Sequence, residues 1–248
     1  MQEKNKRTII ALGKTSQQPD GIGIYAGGKK IADTGQPERL VDLAFVIDTT
    51  GSMSDKIEAL LNTAQAFVDD FSTLGLDGRI AVVAFGDLTV PGDRIDTTNL
   101  TQDINTVKSH LRNVPRFNGG GNNGESSLDA LATTMRLAFR KDAVKVILLI
   151  TDEPALEHHN ITAKRVTSDL QTGEFLTFAI APQLTYYQEM ANTTGGQYFD
   201  IVAAADFSGI LKLFRSVAEN ISTRASTVHQ LAGGSVRQYL ALNPPSKP

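Results

Sequence analysis

Leu43-Ala44-Phe45-Val46-Ile47-Asp48-Thr49-Thr50-Gly51-Ser52-Met53-Ser54 decides how this chain folds. An apolar run ends abruptly in one carboxylate and a cluster of hydroxyls. From Leu40 to Ile47 the sequence is nearly continuously apolar, as a parallel strand buried on both faces requires. Asp48, Thr50 and Ser52 then set oxygen ligands at alternate positions where that strand leaves the core. Hard divalent cations such as Mg²⁺ take carboxylate, hydroxyl and water oxygens. One carboxylate with two neutral hydroxyls leaves such an ion underneutralised, so it still attracts an anionic group from outside. Two other readings share these residues: Ser and Thr capping a helix start, and a phosphatase loop whose strand-end Asp is the nucleophile.

Outward from this stretch, strands and helices alternate. Ile57, Leu60, Leu61, Ala64, Phe67, Val68 and Phe71 follow helical spacing, with Gly75 as the stop. Arg79 to Phe85 reads as a second strand, Asp93 to Asn99 as a short edge strand, and Asp103 to Val114 as an amphipathic helix ended by Pro115. After the glycine-rich loop from Phe117 to Glu125, a helix shows Leu128, Leu131, Met135 and Ala138 on one face. Val144 to Ile150 is the most apolar strand, and it too runs into a carboxylate, in Thr151-Asp152-Glu153-Pro154. A helix over about 158–171, a strand from Phe175 to Ile180, a helix over about 184–192, a short strand from Gln197 to Asp200 and a helix over about 206–221 complete the series. This order predicts an α/β fold: a doubly wound, Rossmann-like, mostly parallel sheet with one short antiparallel edge strand and helices on both faces. Residues 1–39 read as an extension, with a small hairpin around Gly27-Gly28, residues 40–221 as the domain, and 222–248 as a loosely held tail.

Composition bounds the function. Among 248 residues, 41% hydrophobic and 21% charged describe a globular chain long enough for one sizeable core or two small ones. A net charge of −3 favours neither nucleic acid nor an anionic membrane. The absence of cysteine removes disulfides, zinc thiolate sites and thiol nucleophiles together. No apolar run approaches membrane-spanning length, and the cytoplasm is the default expectation.

In open α/β sheets ligands bind beyond the carboxyl ends of the strands, where the strand order reverses. Asp48 and Asp152 both follow such strands, and the loop ending in Glu125 supplies a third wall. Gly119, Gly120 and Gly121 would let backbone approach closely in conformations that side chains forbid. Each acid alone has an ordinary explanation: Glu125 and Asp55 as helix-start residues, Asp152 as a strand-end turn. Their joint appearance in this order favours a site. His158 and His159, adjacent on a helix, would point about 100° apart and suit a helix start better than one ion. Ser126 and Ser127 have no identified histidine partner for a triad.

Asp48-Thr49-Thr50-Gly51-Ser52-Met53 resembles the first metal-binding loop of von Willebrand factor type A domains, with its Asp-x-Ser/Thr-x-Ser pattern. Gly120-Gly121-Asn122-Asn123-Gly124-Glu125-Ser126-Ser127-Leu128-Asp129-Ala130 resembles the second loop of the integrin-β-like and hemicentin-like branch, where a Glu reaches the ion. Other branches use a Thr there, and none stands between Gly119 and Ser126, so Glu125 is the expected ligand and Ser126 the alternative. Leu148-Leu149-Ile150-Thr151-Asp152 matches the third loop, whose Asp commonly acts through water. The paired acids that hold an adjacent ion in integrin-β-like domains fall here at Asp55 and Lys56, so only half the pair survives, and an acid of the flanking site is replaced by Asn122. One ion is expected: Mg²⁺, or Mn²⁺ or Ca²⁺.

The resemblance implies a non-enzymatic binding module with a metal-ion-dependent adhesion site (MIDAS). A partner protein would complete the ion's coordination with an Asp or Glu, and the helix near 206–221 would be the moving element. Cytoplasmic bacterial members often act as adaptors in stress-response, metal-chelatase or chaperone-like ATPase systems. Two rivals stand beside this. A scaffold would use the metal only structurally. A Mg²⁺-dependent phosphohydrolase would need a second Asp two residues after its nucleophile, where this chain has Thr50.

Overall fold

A computed structural model describes residues 25–26, 29–30, 40–72, 77–121, 124–157, 160–201 and 207–245. Two units are distinguished, Met1–Pro37 and Glu38–Pro248. In the first, strands β1 (Tyr25–Ala26) and β2 (Lys29–Lys30) pair antiparallel, while Gly27 and Gly28, where the turn of a hairpin is expected, lie outside the described residues.

The second unit is built on six strands: β3 (Leu40–Asp48), β4 (Asp77–Phe85), β5 (Ile95–Thr97), β6 (Val144–Ile150), β7 (Phe175–Ala181) and β8 (Tyr198–Asp200). Their spatial order is β5-β4-β3-β6-β7-β8, parallel throughout except for the antiparallel edge strand β5. Strand order therefore reverses between β3 and β6, and a crevice is expected beyond their carboxyl ends. The expected doubly wound, mostly parallel, Rossmann-like sheet is the one observed.

Alternate strand residues serve opposite faces, as strand geometry demands. Leu43, Phe45 and Ile47 of β3 join Val146, Leu148 and Ile150 of β6 in one apolar layer. Helices α1 (Ser54–Ser72), α2 (Ile104–Arg112), α6 (Phe207–Ala232) and α7 (Val236–Leu242) lie on that face. Ala44, Val46, Ile147 and Leu149 form the other, covered by α3 (Ser127–Thr134), α4 (Ala163–Thr172) and α5 (Thr185–Thr193). Phe45 meets Phe67 of α1 edge to face, with ring centroids 5.4 Å apart, a geometry that adds about 0.5–1.5 kcal/mol to the area it buries.

Several boundaries differ from the sequence reading. Helix α3 ends at Thr134, so Met135 and Ala138, expected on its apolar face, lie beyond it, and the edge strand is shorter than expected. Helix α4 begins at Ala163, not near 158: Asn160 has φ +65°, Thr162 caps the helix by accepting from Arg165 N, and the Glu157 carboxylate accepts from Ala163 N. The expected tail is largely helix. Helix α6 continues to Ala232 and α7 follows, with Ala225, Val228, Ala232, Val236 and Tyr239 buried. That apolar spacing is a helical stripe closing one face of the sheet. Among the described residues, no helix is long and apolar enough to cross a membrane.

Candidate metal site

The register of the central strands positions the site. Ile47 is level with Ile150, so Asp48 emerges beside Thr151, whose hydroxyl donates to Asp48 Oδ2 at 2.7 Å. The other oxygen, Oδ1, accepts from Thr50 N at 3.0 Å and Thr50 Oγ1 at 2.6 Å. Thr50 precedes a single 3₁₀ turn, Gly51–Met53, without capping it through its side chain. Ser52 Oγ donates to Asp152 Oδ1 at 2.9 Å. Neither hydroxyl is therefore spent on the helix-start role that the sequence alone allowed.

Glu125 reaches the cluster because its loop is pinned on both sides. Its N–H donates to Pro154 O and its carbonyl accepts from Leu156 N, tying the second loop to the third. The first loop is tied to the second by Phe117 N to Thr49 O and Gly51 N to Asn118 O. Gly119 sits at φ +71°, and a Cβ there would lie 2.7 Å from Glu125 Oε1 and 3.1 Å from Thr50 Cβ. This is the close approach the glycine run was expected to permit, and only glycine takes this φ without cost; Gly121, by contrast, faces open space. Ser126, the alternative ligand, is fully buried, and its Oγ accepts from Leu88 N at 2.9 Å. That bond holds the 87–93 loop against the site.

The electrostatics are lopsided. Asp48 is fully buried, and burial, aided by the charge of Asp152, raises its pKa to about 6 despite the bonds from Thr50 and Thr151. Glu125 is raised further, to about 8, by burial first, then by Asp48 and Asp87, with a smaller push from Asp93 and an opposing hydrogen bond from Thr50. Each hydroxyl carries one proton. Asp48 takes that of Thr50, and Asp152 takes that of Ser52. The two hydroxyl oxygens, 3.2 Å apart, thus keep lone pairs with no proton between them. Glu125 Oε2 is buried and finds no donor among the described residues. Leaving a carboxylate oxygen in that state is costly, and a hard cation is the species this oxygen set suits. The residues fit a divalent ion.

Thus two hydrogen-bonded pairs, Thr50 with Asp48 and Ser52 with Asp152, meet where the Thr50 and Ser52 hydroxyl oxygens lie 3.2 Å apart, and Glu125 stands against Thr50. Several participants escaped sequence reasoning. Thr151 positions Asp48. Asp93 accepts from Asp87 N, Asn118 N and Gly119 N, bracing the loops. Lys56 donates to Asp152 Oδ2 at 2.9 Å. The Asp55 side chain, Asn122, His158 and His159 lie outside the described residues. A cleft of about 820 Å³ between α4 and α5 is lined by residues such as Lys164, Tyr186 and Glu189 and includes none of the cluster.

Comparison with solved structures gives the same fold. Proximal thread matrix protein 1 from the mussel byssus, in its second crystal form, aligns with a TM-score of 0.58 at 16% identity, over 74% of this chain and 48% of that one. The same mussel protein with a zinc-occupied MIDAS motif aligns at 0.57 and 20% identity, over 74% and 46%. The pilus adhesin SpaC from Lactobacillus rhamnosus GG, in an open conformation, aligns at 0.55 and 14%, over 75% and 30%. This chain thus spans about half the length of the mussel structures or less. No curated protein sequence matches it. The family of von Willebrand factor type A domains matches residues 42–215. With that match spanning most of the chain, on a doubly wound sheet whose central strands end in Asp48 and Thr151-Asp152, this chain belongs to the von Willebrand factor type A domain family.

Proposed function

We propose that this chain is a non-enzymatic protein-binding module whose Asp48, Thr50, Ser52, Glu125 and Asp152 hold one divalent cation, and that a partner protein supplies an Asp or Glu to it. The observation that carries the reading is Glu125 Oε2, buried without a donor among the described residues, on a carboxylate that stands against Thr50, whose proton goes to Asp48. Asp48 and Glu125 would bind the cation as anions, Thr50 and Ser52 through oxygen lone pairs, and Asp152 would orient the Ser52 hydroxyl. An ion held there supplies an electrophilic position for one external carboxylate oxygen.

The all-oxygen donor set favours Mg²⁺, or Mn²⁺ or Ca²⁺, over softer metals, although the mussel protein's MIDAS takes zinc. Glu125, where other branches carry Thr, supports placement in the integrin-β-like and hemicentin-like branch. Against a phosphohydrolase, the position for a general acid is Thr50, whose proton goes to Asp48. We place the module in the cytoplasm as an adaptor, with stress-response or chaperone-like ATPase systems as the class of partner. The cysteine-free composition is consistent with that setting, and cell fractionation tests it.

The functional test is a pull-down from native extract with Mg²⁺ and with chelator, using wild type and Asp48→Ala. A partner lost with chelator and with the variant supports the reading. A partner retained in both supports a scaffold whose metal is structural.

A further inference from the structure

Lys56 stands near the start of α1, its ammonium 2.9 Å from Asp152 Oδ2 while the Ser52 hydroxyl holds Oδ1. Its side chain is 31% exposed and that of Asp152 11%, so the pair sits at the rim, half open to an incoming group. Among the described residues, no other cation forms an ion pair with Asp48, Glu125 or Asp152. Charge decides what this pairing does. With Asp48, Glu125 and Asp152 in the cluster, and Asp87 and Asp93 near enough to act on Glu125, a divalent ion leaves a negative excess, to which Glu125 contributes where a threonine would have added nothing. A centre with that excess repels the very carboxylate that would complete it. The Lys56 ammonium offsets part of that excess.

We propose that Lys56 is the charge-balancing, specificity-determining residue of this site: it weakens the hold on the cation while keeping the loaded centre receptive to an external carboxylate. The inference rests on the reading of this cluster as a divalent-cation site. It makes a demand that a merely structural ion pair does not, since removing the ammonium must move two affinities in opposite directions. A unit charge several ångströms from the ion, in a half-exposed setting with high effective dielectric, corresponds to roughly three- to tenfold in each affinity. Because the pair is partly exposed, added salt must shrink both effects.

The experiment uses the full chain with Mn²⁺ as the metal probe and glutarate as the carboxylate probe. Electron paramagnetic resonance counts free Mn²⁺, and water-proton relaxation of the Mn²⁺-loaded protein follows glutarate displacing water. Wild type, Lys56→Gln and Lys56→Arg are compared, with circular dichroism confirming an unchanged fold. The proposal expects Lys56→Gln to bind Mn²⁺ about three- to tenfold more tightly and glutarate about three- to tenfold more weakly, with both effects reduced in 0.5 M salt and Lys56→Arg near wild type. If wild type binds Mn²⁺ but Lys56→Gln shifts neither affinity, or shifts both the same way, the charge-balancing role is overturned. If wild type binds no Mn²⁺, the metal reading itself fails, and the inference with it.

Discussion

Strand β3 carries a fully buried carboxylate near each end, and the two are treated in opposite ways. At the amino end, Asp42 accepts from Arg79 Nε and Nη2 and from the backbone N–H and Nε of Arg140. Burial alone would raise its pKa, but the bonds from Arg79 and Arg140 outweigh burial and hold the carboxyl below its ordinary range. Arg140 also reaches Asp77, so the network clamps the starts of β3 and β4 together. At the carboxyl end, Asp48 receives hydroxyls and one backbone N–H, has Glu125 as a neighbour, and titrates high. A fold that supplies two guanidinium groups to one acid of a strand has the means to neutralise the other. The contrast separates a carboxylate satisfied by the chain from a cluster whose balance comes from outside.

The largest expected effect is at the satisfied end. Asp42→Ala leaves two arginines without their buried partner and should cost about 3 kcal/mol of stability in urea unfolding, while Mn²⁺ affinity of the folded protein stays unchanged. A loss of metal binding in that variant would break the separation between the two ends. Next comes the cation itself: Mg²⁺ at 100 times its dissociation constant should stabilise the wild type by about 2.7 kcal/mol.

The pH dependence of that stabilisation has a definite sign. Asp48 and Glu125 titrate higher folded than unfolded, so the metal-free native state binds more protons, and stability falls as pH rises from about 4 through about 8. Cation binding needs both carboxylates ionised, so the Mg²⁺-induced rise in Tm should be larger at pH 8 than at pH 6. Asp42, lowered on folding, works in the other direction: its stability is present above about pH 4 and is lost as pH falls through its native value.

Gly119→Ala should cost about 1–2 kcal/mol, since alanine at φ +71° is strained and its Cβ meets the Glu125 carboxylate. It should also weaken the cation. The smallest effect sharpens the comparison most. Asp48→Asn removes a buried charge, keeps the acceptor for Thr50, and should leave metal-free stability at pH 8 unchanged or raised by about 1 kcal/mol. Destabilisation as large as that of Asp42→Ala would show that both ends of β3 are structural.

Much of this was legible in the sequence. The apolar runs at Leu40 to Ile47 and Val144 to Ile150 announce two central strands, and a carboxylate beyond each marks the crevice between them. Asp42 interrupts the first run as its one charged residue, but its partners, Arg79 and Arg140, are distant in sequence and meet it only across the strand starts, so the run alone does not announce the pairing. The extension of α6 was hidden by the Ser and Thr residues between Ile221 and Val228, which weaken helix propensity without interrupting the apolar stripe. The roles of Thr151, Asp93 and Lys56 depend on which loops touch, which neither spacing nor periodicity encodes.

The central claim is that the carboxyl end of β3 is completed by one divalent cation. Titrating Mn²⁺ into the full-length wild type and Asp48→Asn, with free ion followed by electron paramagnetic resonance, tests it directly. The account predicts one saturable site per chain in the wild type, displaced by Mg²⁺ and lost in a folded Asp48→Asn protein. No saturable binding in the wild type, or undiminished binding in Asp48→Asn, would contradict it.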